Sequence, residues 1–237
     1  MITDPRTTSY AHAAIRNNAD WCDAVCRSHG VPGVFAPRVW ASPRRTPPLY
    51  PDAVTLSPDA TPDDVLTRID LTSPGASVKD SFGTLDLSGA GFEVLFEARW
   101  IHRPAAEPAR GQEGWRPVED ADGLSEWEAA WSGDGQGGEL FRPPLLDDGS
   151  VFLAATGTGG GVTAGAVAHP AASVIGISNL FTADDDLDTA WRSCLDATAR
   201  LWPGVPVVGY EHGDDLAAAV RHGFTPVGPL RVWLRTS

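Results

Sequence analysis

The chain is short of cysteine, of positive charge and of long apolar runs, and each shortage excludes something. Three cysteines in 237 residues, Cys22, Cys26 and Cys194, are too few, and odd in number, for a disulfide framework. Basic residues number 18 against 31 acidic ones, so the formal net charge is −13 and the isoelectric point lies near 4.7. Such a surface repels phosphate backbones, and nucleic acid is not an expected partner. No run of about 18 apolar residues exists to span a bilayer. The opening MITDPRTTSYAHAAIRNNADW lacks the apolar core of a signal peptide. The expectation is a cytoplasmic protein with no membrane partner. Gly-x-Ser-x-Gly and His-Glu-x-x-His are missing, which removes the simplest hydrolase and zincin readings.

What is present is globular. Hydrophobic residues make up 42% and charged residues 21%, enough for a sizeable core in one large domain or two small ones. Nine tryptophans against three tyrosines and one methionine is an unusual balance, and the sequence alone gives no account of it.

The segment 104–113 (PAAEPARGQE) has no apolar periodicity and reads as a linker between an α/β part, 1–103, and a second part, 114–237. The second part has the clearer pattern. A short strand at Trp115–Val118 precedes a helix capped by Asp120 or Asp122, with Leu124, Trp127 and Trp131 on one face. Three apolar runs, 151–156, 162–169 and 173–182, suggest an antiparallel meander broken by Gly157-Thr-Gly-Gly-Gly161. That glycine run lacks the Gly-Lys-Ser/Thr ending of a phosphate loop and reads as a hairpin. A helix with Leu187, Trp191, Leu195 and Thr198 on one face stops at Pro203-Gly204. A strand at 205–210 follows, then a helix at 216–222 capped by Asp214 or Asp215. Two strands, 224–227 and 230–235, close the chain.

The first part predicts a helix over 9–29 with a break near Asn17-Asn18, and strands at 34–41 and 53–56. A short helix from Thr61 to Ile69, a strand at 77–82, a helix at 85–90 and a strand at 93–103 follow. Its end echoes the end of the chain. Gly91, Phe92, Arg99 and Arg103 match Gly223, Phe224, Arg231 and Arg235 without a gap. Fixed-offset similarity is how a duplicated unit shows itself, and two matching windows also arise by chance.

The order of elements from Gly114 to Arg235 resembles the GNAT acyltransferase fold. Three stretches carry the resemblance: Ser173 to Trp202, the strand and helix in Pro206-Val-Val-Gly-Tyr-Glu-His-Gly-Asp-Asp-Leu, and Ala217-Ala-Ala-Val-Arg-His-Gly-Phe-Thr-Pro-Val-Gly. The resemblance implies a mixed, mostly antiparallel sheet flanked by helices. With the echo, it suggests a tandem of a degenerate and a complete copy. It also implies an acyl-CoA, such as acetyl-CoA, lying where the fourth and fifth strands of the unit part. There the backbone of Asn179, Leu180, Phe181 and Thr182 would hold the pantetheine arm. A small-molecule amine would be the acceptor.

The sequence departs from the family at two places. The family's pyrophosphate loop uses Gly amides and a helix N-terminus. Here the stretch reads Thr182-Ala-Asp184-Asp185-Asp186-Leu-Asp188, with four carboxylates that would repel phosphate. The family's usual Tyr, four residues before its Gly-Phe, is replaced by Ala219, and the nearest Tyr is Tyr210.

Tyr210, Glu211 and His212 sit at a strand end beside the expected opening, with Glu211 or His212 as base. Ser178 and Asn179 interrupt an apolar strand and would meet acceptor or cofactor there; a structural role among neighbouring strands is the other reading. Cys22, Cys26 and His29 share a helix face but lack an evident fourth ligand, so no metal is expected. Two functions remain open: N-acetyl transfer to a small amine, or a catalytically inactive GNAT-like binding module. A homodimer is open as well.

Overall fold

A computed structural model of the chain describes residues 5–72, 74–107, 114–133, 139–184 and 186–236. Residues 108–113 of the expected linker, and Asp185 of the acidic loop, lie outside these. The first half holds helix α1 (Pro5–Ser28) and strands β1 (Val34–Phe35), β2 (Val39–Ala41) and β3 (Ala53–Thr55). Helix α2 (Pro62–Leu66), β4 (Ser77–Asp80) and β5 (Phe92–Arg103) complete it. The second half holds β6 (Trp115–Pro117), α3 (Ala121–Ser132), β7 (Val151–Thr156), β8 (Val162–Ala171) and β9 (Val174–Thr182). It ends with α4 (Leu187–Leu201), β10 (Val207–Glu211), α5 (Gly213–Arg221) and β11 (Thr225–Arg235).

Among the described residues all eleven strands join one sheet, in the order β1-β2-β3-β4-β11-β5-β10-β9-β8-β7-β6. Every pairing is antiparallel except β3 with β4 and β9 with β10. Leaving out β6, the order reads the same from both ends, with β5 and β11 exchanged between the halves. Ala98 faces Leu230 at the centre. Apart from Phe92–Arg235 at one end, each other β5–β11 pair has a symmetric mate displaced by the echo's own offset: Ile101–Pro226 answers Val94–Trp233, and Trp100–Gly228 answers Phe96–Val232. Both strands bulge at equivalent points, passing over Leu95 and Val227. The echoed segments are therefore neighbouring strands about an approximate twofold axis.

Side chains alternate across this sheet. Trp100, Val208, Val167 and Phe152 pack with Ile15, Trp21 and Val25 of α1 and Trp127 of α3. Ile101, Val207, Ala166 and Leu153 point the other way, onto Trp191, Cys194 and Leu195 of α4 and Ala218 of α5. A third cluster joins Val39, Ala53, Val78 and Trp233 to Val65 of α2. Each such large side chain contributes about 2 kcal/mol by leaving water. The tryptophans now have an account. Trp40, Trp100, Trp127 and Trp191 are among the largest fully buried side chains. The N–H groups of three find acceptors at Asp23 (3.0 Å), the Ser81 carbonyl (3.0 Å) and the Leu153 carbonyl (2.8 Å).

Several expectations need correction. Helix α1 runs unbroken through Asn17-Asn18. Buried Asn17 spends its amide on the His169 (2.8 Å) and Ala171 (3.2 Å) carbonyls of β8, so it does not compete with its own helix. It fills the space beside Gly176, where a Cβ would lie 1.8 Å from its oxygen. The helix expected over 85–90 is only a 3-10 turn at Ser88–Ala90. The two final strands are one bulged strand. Helix α5 starts at Gly213 after His212, and Asp214 and Asp215 stand inside its first turn. No helix among the described residues is long and apolar enough to cross a membrane.

Candidate active site

Strand β9 pairs with β8 from Val174 to Thr182, but with β10 only at Ile175–Val207 and Gly176–Val208. Beyond that point β10 follows β5 to Glu211, while β9 stays with β8. The two parallel strands therefore fork. A register shift in β9 opposite Val167–Gly165 marks the place, and Asn179 takes a left-handed backbone (φ 55°), which Asn tolerates better than most residues.

A cavity of about 230 Å³ occupies the fork. Ile177, Ser178, Asn179 and Leu180 line it from β9, and Tyr210 and Glu211 from β10. Asn18 and Trp21 of α1, Trp131 of α3, Leu49, Tyr50 and Lys79 complete the wall. Five of the eight residues singled out from sequence thus meet in one place: Ser178, Asn179, Leu180, Tyr210 and Glu211. The other three do not. Phe181 packs edge-on against Trp127, with centroids 5.1 Å apart. Thr182 donates its hydroxyl to Asp184. His212 rests against Phe96 (5.2 Å) and lines a separate depression with Glu97 and Arg231.

Glu211 is set apart by its surroundings. Among the described residues its carboxylate has no hydrogen bond or ion pair. Burial, reinforced by nearby Asp215, pushes its pKa up to about 8. Asp188 shows the opposite environment. Hydrogen bonds from Arg221 (2.9 Å) and His222 (2.8 Å) hold it at about 2.

Lys79, Tyr50, Asn18, Trp21 and Trp131 escaped the sequence reading. Lys79 is the chain's single lysine, and that singularity was the available signal. It is buried, donates to Asn18 Oδ1 (3.0 Å), and holds its ammonium 4.5 Å from the Tyr210 ring centre.

The acyl-CoA expected from the resemblance fits one part of the fork and not another. Past Gly176, among the described residues, β9 has no strand on its β10 side, leaving a backbone edge that an amide-bearing arm could join. The start of α4 does not fit a pyrophosphate. Asp184 already accepts the Asp186 amide (3.2 Å), and Asp186 caps the Thr189 amide (3.0 Å). Buried Cys22 and Cys26 line no metal site. The His29 ring is hydrogen-bonded to the Leu140 carbonyl, and no metal-binding group occurs among the described residues.

No protein-family model matches the chain, and no curated protein matches its sequence. Solved structures do match. A GCN5-related N-acetyltransferase from Kribbella flavida superposes with a TM-score of 0.59 at 13% identity, over 94% of this chain and 96% of that one. A GNAT-family protein from Novosphingobium aromaticivorans gives 0.54 at 12% identity, over 92% and 96%. A conserved protein of unknown function from Staphylococcus epidermidis gives 0.54 at 12% identity, over 69% and 73%. The fold is GNAT-like, and the first two similarities extend over both halves.

Proposed function

We propose that the chain is an acyl-CoA-dependent N-acyltransferase, an N-acetyltransferase in its simplest form, acting on a small amine at the fork between β9 and β10. One observation carries this reading. The strands part where an unpartnered carboxyl, Glu211, faces a cavity with its pKa raised to about 8. A base poised near the working pH is what amine acylation needs. The bound acyl-CoA would supply an activated thioester carbonyl.

The open edge of β9 from Asn179 to Thr182 orients the donor's amide arm as an added strand would be oriented. Glu211 takes the proton that the amine nitrogen loses as its N–C bond forms, directly or through one water. The C–S bond breaks, and the departing sulfur takes a proton from the Tyr210 hydroxyl, the phenol on the same strand end. Trp21, Trp131 and Leu180 give the cavity its apolar walls.

Calorimetric titration of acetyl-CoA tests the proposal. Binding is expected below about 1 mM. Glu211→Gln should keep that binding while turnover collapses. No binding at millimolar ligand would overturn the reading. The carboxylates of Asp184 and Asp186 on the first amides of α4 favour a second reading, an inactive GNAT-like module that binds a ligand without acyl transfer. Failure of acetyl-CoA to bind would select it.

A further inference from the structure

Two polar groups of the fork are left unspent by the mechanism above. Lys79 is 7% exposed and Tyr50 8% exposed. The ammonium of Lys79 has three donors. Asn18 takes one, the neighbouring Tyr210 hydroxyl engages a second, the third is left over, and no carboxylate lies within ion-pairing distance among the described residues. A buried cation without a counter-charge is costly, and a ligand anion relieves the cost. The Tyr50 hydroxyl is buried without a hydrogen-bond partner. The neighbouring indole of Trp21 carries a donor and no acceptor, so the phenol proton stays unmatched. The net charge of −13 does not draw anions to the surface in general, so any anion site here is local.

The same two residues also line a second and larger cavity, of about 640 Å³, which shares Leu49, Tyr50, Lys79 and Tyr210 with the fork. Its further walls include Pro47, Pro48, Leu95, Phe96, Val232 and Leu234. The donors therefore stand between a small polar chamber holding Glu211 and a roomy apolar one.

We propose that the acceptor is an amine that also carries a carboxylate and a bulky apolar side chain, the chemistry of a hydrophobic amino acid. Lys79 and Tyr50 hold the carboxylate, and the side chain lies in the apolar chamber. The identity of the acceptor rests on the acyl-transfer reading; the binding site itself does not. Lys79 and Tyr50 are positioning residues, setting the amine toward Glu211.

The test is calorimetric titration of L-phenylalanine and of phenethylamine, which has the same ring and amine without the carboxylate. No acyl donor is present. L-phenylalanine should bind at least about tenfold tighter. Lys79→Met and the isosteric Tyr50→Phe should each shrink that gap. The inference is overturned if phenethylamine binds as well, if neither binds up to about 10 mM, or if both variants keep the gap. Acetyl-CoA titrated into the same protein separates the two claims. A preference for L-phenylalanine without acetyl-CoA binding sinks the acyl-transfer reading alone. Acetyl-CoA binding without that preference sinks this inference alone.

Discussion

The two halves repeat one strand plan, yet the carboxylates at their matching strand ends stand in opposite surroundings. Their registers make the comparison residue by residue. Glu211 stands opposite Arg99 of β5, and Asp80 stands opposite Arg231 of β11, the matching arginines of the echo. Tyr210 and Lys79 are the preceding pair. In the first half Asp80 is fully buried, and its oxygens accept the amides of Leu85 (2.9 Å) and Phe82 (3.4 Å). The β3–β4 fork there is bridged by the Ser81 amide bonding to Thr55 Oγ1 (2.8 Å). In the second half, among the described residues, no such hydrogen bond bridges the fork and Glu211 has no such partner. The flanking helices differ in the same sense. Helix α2 has 5 residues where α4 has 15, and a three-residue turn stands where α5 has 9. One carboxylate at a shared position is bound by backbone amides and the other, among the described residues, is not. Hydrogen-bonding separates the two, more than residue type.

Four experiments would break or sharpen this contrast, taken from the largest effect down. Asp80→Ala leaves one buried and one half-buried amide without acceptors and should cost about 3 kcal/mol in urea unfolding. Glu211→Gln should raise stability at neutral pH, where the carboxyl has lost much of its contribution, and lower kcat by about a hundredfold. Equal stability losses in the two variants would erase the distinction between the carboxylates. Next, Thr55→Val should cost about 1 kcal/mol, because the Ser81 amide loses its bridge. An unchanged urea midpoint would show that the bridge is idle.

The smallest effects are pH effects of opposite sign. Glu211 has a folded pKa raised from 4.5 to about 8 by burial and by Asp215, with cationic Lys79 lining the same cavity. Its neutral form is favoured on folding. Its contribution to stability is therefore full at low pH and is lost as pH rises from about 4.5 to about 8, while the reaction rate climbs over the upper part of that range. Both trends should vanish in Glu211→Gln. Asp188, lowered from 3.8 to about 2, contributes stability above its unfolded value and loses it as pH falls toward 2. Thermal unfolding of Asp188→Asn across that range should show a small deficit at neutral pH that disappears in acid.

Much of the fold was legible because local rules wrote it. The runs 151–156 and 174–182 alternate or stay apolar between turn residues. Asp120 caps α3 and accepts the Gly123 amide (2.8 Å), and Gly223 ends α5 with a left-handed backbone (φ 87°). Of the candidate site, the strand ends at Ser178–Leu180 and Tyr210–Glu211 were legible for the same reason. His212 was misplaced because β10 ends at Glu211, and the His212 ring turns instead to Phe96 (5.2 Å), a contact that its chain neighbours do not announce. Asn17-Asn18 looked like a helix break because their long-range partners, on β8 and at Lys79, cannot be seen from the helix.

By itself the sequence determined the period of most elements, the cap of α3 and the acidic stretch at the start of α4, since these depend on residues within a turn or two of one another. Only the tertiary structure decided that β5 enters between β10 and β11, that Lys79 reaches Tyr210, and that Glu211 is left without a partner. Those outcomes depend on pairings between residues tens of positions or more apart, set by which side chains the assembled sheet and α1 bring into reach. Local spacing holds no record of such distances.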